Sequence, residues 1–68
     1  MNVFINGKET ALEDGLTLEQ LLAEIHIDKD KKGIAVAVND TVKPRTAWTD
    51  TIIRADDRIE IIRAVQGG

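Results

Sequence analysis

The stretch of sequence that decides the fold is residues 17–26, TLEQLLAEIH. Its large apolar side chains follow the i, i+3, i+4 and i+7 spacing of one helix face: Leu18, Leu21, Leu22 and Ile25. This spacing gives a single apolar stripe, which is buried when the helix packs on another element. Thr17 is a favourable N-cap, and Gln20 three residues later can complete a capping box. The pattern therefore predicts one helix with one buried face.

Strand signals flank this helix on both sides. Before it, residues 2–10 are predicted to form a hairpin, because the pair Asn6-Gly7 suits the positive φ angles of a type I′ turn. After it, short apolar or alternating runs predict three more strands, at residues 34–38, 41–43 and 58–65. The irregular segment before the last strand has three predicted core anchors: Trp48, Ile52 and Ile53.

A hairpin followed by a crossover helix and further strands favours a mixed sheet. We therefore predict an α+β fold of the ubiquitin-like β-grasp type, in which a mixed sheet of four to five strands curls round one main helix. With 68 residues, the chain has room for one domain. The predicted domain is residues 1–65, and residues 66–68 are predicted to be a flexible C-terminal Gly-Gly tail.

The composition argues against several classes of function. The chain has 12 acidic and 9 basic residues, a net charge of −3, whereas nucleic-acid binding needs a basic face. No apolar run approaches the ~20 residues that cross a bilayer. We therefore expect neither nucleic acid nor a membrane as a partner. The lack of Cys is consistent with a cytoplasmic location.

The side chains also offer no credible catalytic group. The sequence has no Ser, no Cys and a single His, His26, which is more typical of a structural residue at the end of a helix, so no nucleophile–base pair is credible. Residues 28–33 begin like a calcium loop, yet Lys32 stands where an oxygen ligand is required. We expect that the chain is not an enzyme and that it binds no metal or cofactor itself.

One chemical feature remains, the terminal pair Gly67-Gly68. Two residues without Cβ can pass through a channel too narrow for side chains. The carboxylate of Gly68 would then be a reactive group on a thin arm, but it is ionised at neutral pH and is a poor electrophile. An enzyme that forms an acyl-adenylate from ATP would have to activate it. This is the chemistry of carriers and modifiers built on the ubiquitin fold.

Four segments of the chain together carry a resemblance to a known family: VFING at 3–7, IAVAVN at 34–39, VKPR at 42–45 with Trp48, and IEIIRAVQGG at 59–68. On these segments the chain resembles the ThiS family, the sulfur carrier proteins of thiamin biosynthesis, over essentially its whole length. The Pro-Arg-x-x-Trp element together with the Ala-Val-Gln-Gly-Gly end is the specific part. One departure is the turn Asp56-Asp57, where the family often has Gly-Asp.

The resemblance implies a mechanism and a set of partners. An adenylyltransferase of the ubiquitin-activating type would adenylate the Gly68 carboxylate with ATP, reaching it along the tail residues Gln66 and Gly67. A persulfide of the kind that a cysteine desulfurase makes would displace AMP and leave a C-terminal thiocarboxylate. Thiazole synthase would then accept this sulfur for the thiazole ring of thiamin.

Two alternatives remain open. A sulfur carrier of the molybdopterin-synthase small-subunit type uses the same Gly-Gly chemistry. A ubiquitin-like modifier or binding module has the same fold without sulfur chemistry. The short chain and the Pro-Arg-x-x-Trp element favour thiamin biosynthesis over molybdopterin.

Strand alternation also predicts a partner surface. In the first strand Val3 and Ile5 should face the helix, which turns Phe4 outward. In the last strand the predicted inward pair is Ile59 and Ile61. Because the first and last strands are neighbours in a β-grasp sheet, the outward Phe4 and Ile62 should share one exposed face. The predicted surface consists of Phe4, Ile62 and Ala64, with Arg58 and Arg63 as its charged rim and Ala35 or Ala37 adjoining it.

Overall fold

The structure is a computed structural model that describes residues 1–27 and 32–63. Along the chain the elements are β1 (Asn2–Ile5), β2 (Lys8–Ala11), α1 (Leu18–Glu24), β3 (Ile34–Val38), β4 (Thr41–Lys43), a 3-10 turn (Arg45–Ala47) and β5 (Arg58–Arg63). The predictions for Ala64, Gln66, Gly67 and Gly68 lie outside the described residues. None of the helices in the described ranges is long and apolar enough to cross a membrane.

The five strands form one sheet in the order β2-β1-β5-β3-β4. β1 and β5 run parallel, whereas the other neighbouring strands are antiparallel. β5, the last strand in the sequence, therefore lies in the middle of the sheet between the first strand and the third. The predicted mixed sheet with one main helix is confirmed, at the upper limit of the predicted strand number.

The helix begins where the sequence predicts. Thr17 and Gln20 form the capping box: the amide of Gln20 donates to Thr17 Oγ1 at 3.2 Å, and Gln20 Oε1 accepts from the amide of Thr17 at 3.0 Å. The helix ends earlier than predicted, because His26 takes a left-handed φ of 64°. The amide of His26 donates to the carbonyl of Ala23 at 3.1 Å, the bond that closes the last turn.

The core lies between this helix and the inner face of the sheet. The helix contributes the fully buried Leu18, Leu21 and Leu22. They belong to one cluster with buried side chains from three strands: Val3, Val36, Val38 and Ile59. The indole of Trp48 is also buried in this cluster, and its Nε1 donates to the carbonyl of Lys43 at 2.9 Å. The irregular segment before β5 thus closes the open side of the core.

One of the three predicted core anchors is wrong. Trp48 and Ile53 are buried, but the side chain of Ile52 is 50% exposed. Ile52 forms an isolated antiparallel bridge with Thr17, and the amide of Ile53 donates to the carbonyl of Leu16 at 2.8 Å. In extended backbone successive side chains point to opposite sides, so the bridge that turns Ile53 inward turns Ile52 outward.

The turn before β5 keeps its left-handed backbone without glycine. Asp56 has a φ of 68°, a conformation that Asp adopts less readily than Gly. The next carboxylate compensates, because Asp57 Oδ2 accepts from the amide of Arg54 at 2.8 Å and its Oδ1 accepts from Asn39 Nδ2 at 2.9 Å. The departure from the family pattern therefore leaves the entry into β5 well fixed.

Candidate docking face

The sheet has a second face, which we call the outer face because it lies opposite the helix. Along β5 the inward Ile59 is fully buried, whereas Ile62 is 57% exposed on the outer face. Ile61 points inward and is only partly buried, at the edge of the core. Phe4 lies on the outer face as well, because its neighbours Val3 and Ile5 pack into or against the core.

Four apolar side chains on the outer face are neighbours in the register of the sheet, and we call them the outer apolar patch: Ile62, Ala35 and Val42, which are exposed, and Ala37, which is buried. Ala35 pairs with Ile62 across β3 and β5, and Ala37 pairs with Val42 across β3 and β4. The two largest members are well exposed, with Ile62 57% and Val42 66% accessible. Because alanine side chains are small, the patch is a shallow surface bordered by two branched side chains.

Phe4 shares the outer face with Ile62 but does not adjoin it. Its partners in the neighbouring strands are Glu9 in β2 and Arg58 in β5. Ile62 lies four residues beyond Arg58, roughly 13 Å along the strand, and the exposed Glu60 stands between them on the same face. The structure therefore places the predicted pair on one face with charged side chains between them.

The two predicted rim arginines lie in different places. Arg58 is on the outer face, and its guanidinium forms an ion pair with Asp40 at 3.2 Å, with both side chains largely exposed. Such an exposed pair adds little stability, so Arg58 remains available to a partner. Arg63 pairs with Ile34 and follows the alternation of Ile59 and Ile61, which places it on the opposite side of the sheet from Ile62.

Sequence reasoning did not single out two residues that the structure brings to this region. Val42 stands between Thr41 and Lys43, a pattern that reads as a valine facing the core, yet its pairing with Ala37 places it on the outer face. Asn6 was predicted only as a turn residue, but its Oδ1 accepts from the amide of Ile61 at 2.8 Å. No local signal reveals this bond, because the partners are 55 positions apart.

The outer face offers contact area and charge. In residues 1–27 and 32–63, no group of three or more His, Asp or Glu side chains is placed to hold a metal ion. The described part of the chain likewise contains no buried polar or charged residue. What the face presents is an apolar surface near the end of β5 from which the chain continues toward Gly68, with Glu60 beside it and Arg58 at the opposite end of the strand.

The family model of ThiS matches residues 3–68 of this sequence. The chain belongs to the ThiS family. The match covers every segment on which the resemblance rested, including the terminal glycines. It confirms the family that the sequence motifs indicated.

Relatives and solved structures agree with this assignment. The chain is 28% identical to the sulfur carrier protein ThiS of Escherichia coli over 68 residues, which is 100% of both chains. A crystal structure of the thiamine biosynthesis protein ThiS from Geobacter metallireducens superposes with a TM-score of 0.85 at 26% identity, again over 100% of both chains. The β-grasp fold predicted from the order of elements is therefore confirmed.

A relative of a different kind is much longer than this chain. The thiazole synthase of Paramagnetospirillum magneticum is 31% identical over 68 residues, which is 100% of this chain but 20% of that protein. The chain thus spans about a fifth of the length of that relative. In that relative, a segment similar to this whole chain is part of a longer protein named thiazole synthase.

Proposed function

We propose that this chain is a sulfur carrier of thiamin biosynthesis and that sulfur is carried on the carboxyl group of Gly68. The observation that carries the proposal is the extent of the family match, which runs to residue 68 and so includes Gly67-Gly68. The full-length similarity to a protein named as a sulfur carrier supports it. The chain itself acts as a substrate of other enzymes and catalyses no step.

The proposed chemistry takes place in three steps. A carboxylate oxygen of Gly68 attacks the α-phosphorus of ATP, which forms an acyl-adenylate and releases pyrophosphate. The terminal sulfur of an enzyme persulfide then attacks the acyl carbon, and AMP leaves. A thiol reduces the resulting acyl disulfide, giving the thiocarboxylate and a disulfide between the thiol and the donor enzyme. ATP is bound by the activating partner, so this chain needs no cofactor of its own.

Three kinds of partner follow from these steps. An adenylyltransferase of the ubiquitin-activating type performs the first step, and a cysteine desulfurase-type enzyme provides the persulfide. Thiazole synthase is the proposed acceptor of the sulfur. The long relative supports this acceptor, because a segment similar to this whole chain is covalently part of a protein named thiazole synthase. We propose that all of these partners meet the chain in the cytoplasm.

Mass measurement of the intact chain tests this function. We expect that incubation with the activating enzyme, ATP, a persulfide donor and a thiol increases the mass of the chain by the difference between sulfur and oxygen. Omission of ATP is the control and should leave the mass unchanged. A chain that becomes attached to lysine side chains would instead be a modifier. A thiocarboxylate that only a molybdopterin synthase accepts would support the alternative carrier.

We also propose that the outer apolar patch and Phe4 bind the activating enzyme. The substitution Ile62→Ala should weaken this binding by about 1–2 kcal/mol, roughly a 5- to 30-fold rise in Kd. The reason is that an exposed branched side chain of this kind is buried at a docking interface. Phe4→Ala should have an effect of similar size. Titration calorimetry with the activating enzyme measures both.

The chain provides a matched control for this prediction. Ile52 is exposed to a similar degree as Ile62, at 50% against 57%, but lies beside Thr17 and away from the outer face. Ile52→Ala should therefore bind like the unmodified protein. Equal affinities for the Ile62 and Ile52 variants would show that the outer apolar patch is not the docking surface.

A further inference from the structure

The hydrogen bonds between β1 and β5 continue beyond the end of β1 through a side chain. The amide of Phe4 donates to the carbonyl of Asp57, and the amide of Asn6 donates to the carbonyl of Ile59, both at 2.9 Å. In a regular parallel ladder the amide of Ile61 would next donate to the main-chain carbonyl of Asn6. Here it donates to the side-chain Oδ1 of Asn6 at 2.8 Å, and Asn6 Nδ2 donates to the carbonyl of Ile61 at 3.4 Å.

The turn geometry explains why a side chain takes this place. Asn6 and Gly7 have φ angles of 50° and 82°, so the backbone turns away from β5 and into β2 immediately after β1. An Asn side chain can imitate a peptide group, since it carries both an acceptor and a donor. The carboxamide of Asn6 thus extends the pairing of β5 by one position after the backbone of β1 has turned away.

The contact between Asn6 and Ile61 lies near the end of β5, so it can affect the placement of that end as well as stability. The Cα register of β1 with β5 runs only through Phe4↔Arg58 and Ile5↔Ile59, so Asn6 holds β5 on this side at Ile61. Ile61 lies two residues before the end of β5 and directly before Ile62 of the outer apolar patch. On the other side β3 pairs with β5 as far as Arg63. The Asn6 contact therefore holds the β1 side of the same stretch, which carries the docking side chain and ends where the chain continues toward Gly68.

We propose that Asn6 is a positioning residue that sets the efficiency with which the Gly68 carboxylate is adenylated. The inference rests on the proposed function. The residues after Arg63 reach at most about 3.3–3.6 Å each from the end of the strand, so the place and direction of that end limit where the carboxylate can go. An error of about 1 Å in the placement of a reacting group can reduce a rate by a hundredfold.

A second asparagine provides a matched control at the opposite end of the same strand. Asn39 also has a φ of 50° and follows a strand, β3. Its Oδ1 accepts from the amide of Arg58 at 2.9 Å, and its Nδ2 donates to Asp57 Oδ1 at 2.9 Å. Asn39 therefore makes the same kind of contact to β5, but at the first residue of the strand, farthest from Gly68.

The test compares Asn6→Gly with Asn39→Gly. Glycine accepts the positive φ in both turns, so each variant removes a carboxamide and keeps the turn. The rate of ATP–pyrophosphate exchange is measured with the activating enzyme as the concentration of the carrier varies, alongside urea unfolding and amide hydrogen exchange at Ile61. We expect that Asn6→Gly lowers kcat/KM by roughly tenfold or more and speeds exchange of the Ile61 amide. Asn39→Gly should leave kcat/KM and the hydrogen-exchange rate of the Ile61 amide within about twofold of the unmodified protein, although its loss of unfolding free energy is comparable.

Further variants and outcomes complete the test. Asn6→Asp keeps an oxygen that can accept from the amide of Ile61, so it should recover most of the lost kcat/KM. Equal kcat/KM values for the two glycine variants would overturn the positioning role of Asn6 but not the proposed function. An Asn6→Gly chain that fails to fold would have the same meaning. If the unmodified chain supports no ATP–pyrophosphate exchange, the proposed function is overturned, and this inference with it.

Discussion

Deletion of Gly68 is expected to abolish adenylation while the fold stays intact. The deletion moves the carboxylate back by one residue, about 3.3–3.6 Å along the chain, which takes it out of reach of the α-phosphorus in a site built for the full-length tail. A bulky side chain at the preceding position, as in Gly67→Leu, should have the same effect, because a narrow channel admits only residues without Cβ. ATP–pyrophosphate exchange with the activating enzyme measures the loss.

The same two variants carry their own control. All of the buried side chains found in the structure lie between Val3 and Ile59, so both variants should give the circular dichroism spectrum and the urea midpoint of the unmodified protein. Normal exchange by the Gly68 deletion would contradict the proposed role of the terminal carboxylate. Loss of exchange together with loss of the fold would show that these residues are structural.

The second large effect is expected from Ile59→Ala. Ile59 is fully buried in the middle strand and packs in one cluster with the helix leucines. Truncation of such a side chain costs about 2–5 kcal/mol, whereas a domain of this length has roughly 3–10 kcal/mol of stability in all. The expected loss is therefore a large part of the total stability, and urea melts should show a strongly lowered midpoint for this variant.

Ile62→Ala is the matched control for this loss of stability. It removes the same atoms from the same strand, but Ile62 is 57% exposed, so the expected loss is below about 1 kcal/mol. Ile61→Ala should fall between the two, because Ile61 is only partly buried against the core. A loss at Ile62 as large as that at Ile59 would show that the inner and outer faces are assigned the wrong way round.

The features that sequence reasoning predicted well are those set by local interactions. The capping box of Thr17 and Gln20 needs only four consecutive residues. The strands at 34–38 and 41–43 were predicted with the bounds that the structure gives them, because turn residues stand directly between them. Alternation along a strand likewise placed Phe4 and Ile62 on the outer face before any register was known.

The features that the sequence did not reveal depend on pairing between distant segments. Alternation tells which face a side chain takes but not its position along the neighbouring strand. It therefore placed Phe4 and Ile62 on one face, but it could not tell that Phe4 lies beside Arg58. Which of Ile52 and Ile53 turns inward depends on a bridge to Thr17, 35 positions earlier in the sequence. Only the three-dimensional arrangement determines such choices.

The central place of β5 has a consequence for how this protein comes to be folded. Until the last strand is synthesised, β1 and β3 each present a row of unpaired main-chain groups, and the two hairpins have no strand to join them. Pairing Phe4 with Arg58 closes a loop that spans most of the chain, and contacts this distant in sequence slow folding. Exposed strand edges in an incomplete chain favour aggregation. We therefore expect truncated or stalled products that lack β5 to be insoluble, even though they contain the helix and four of the five strands.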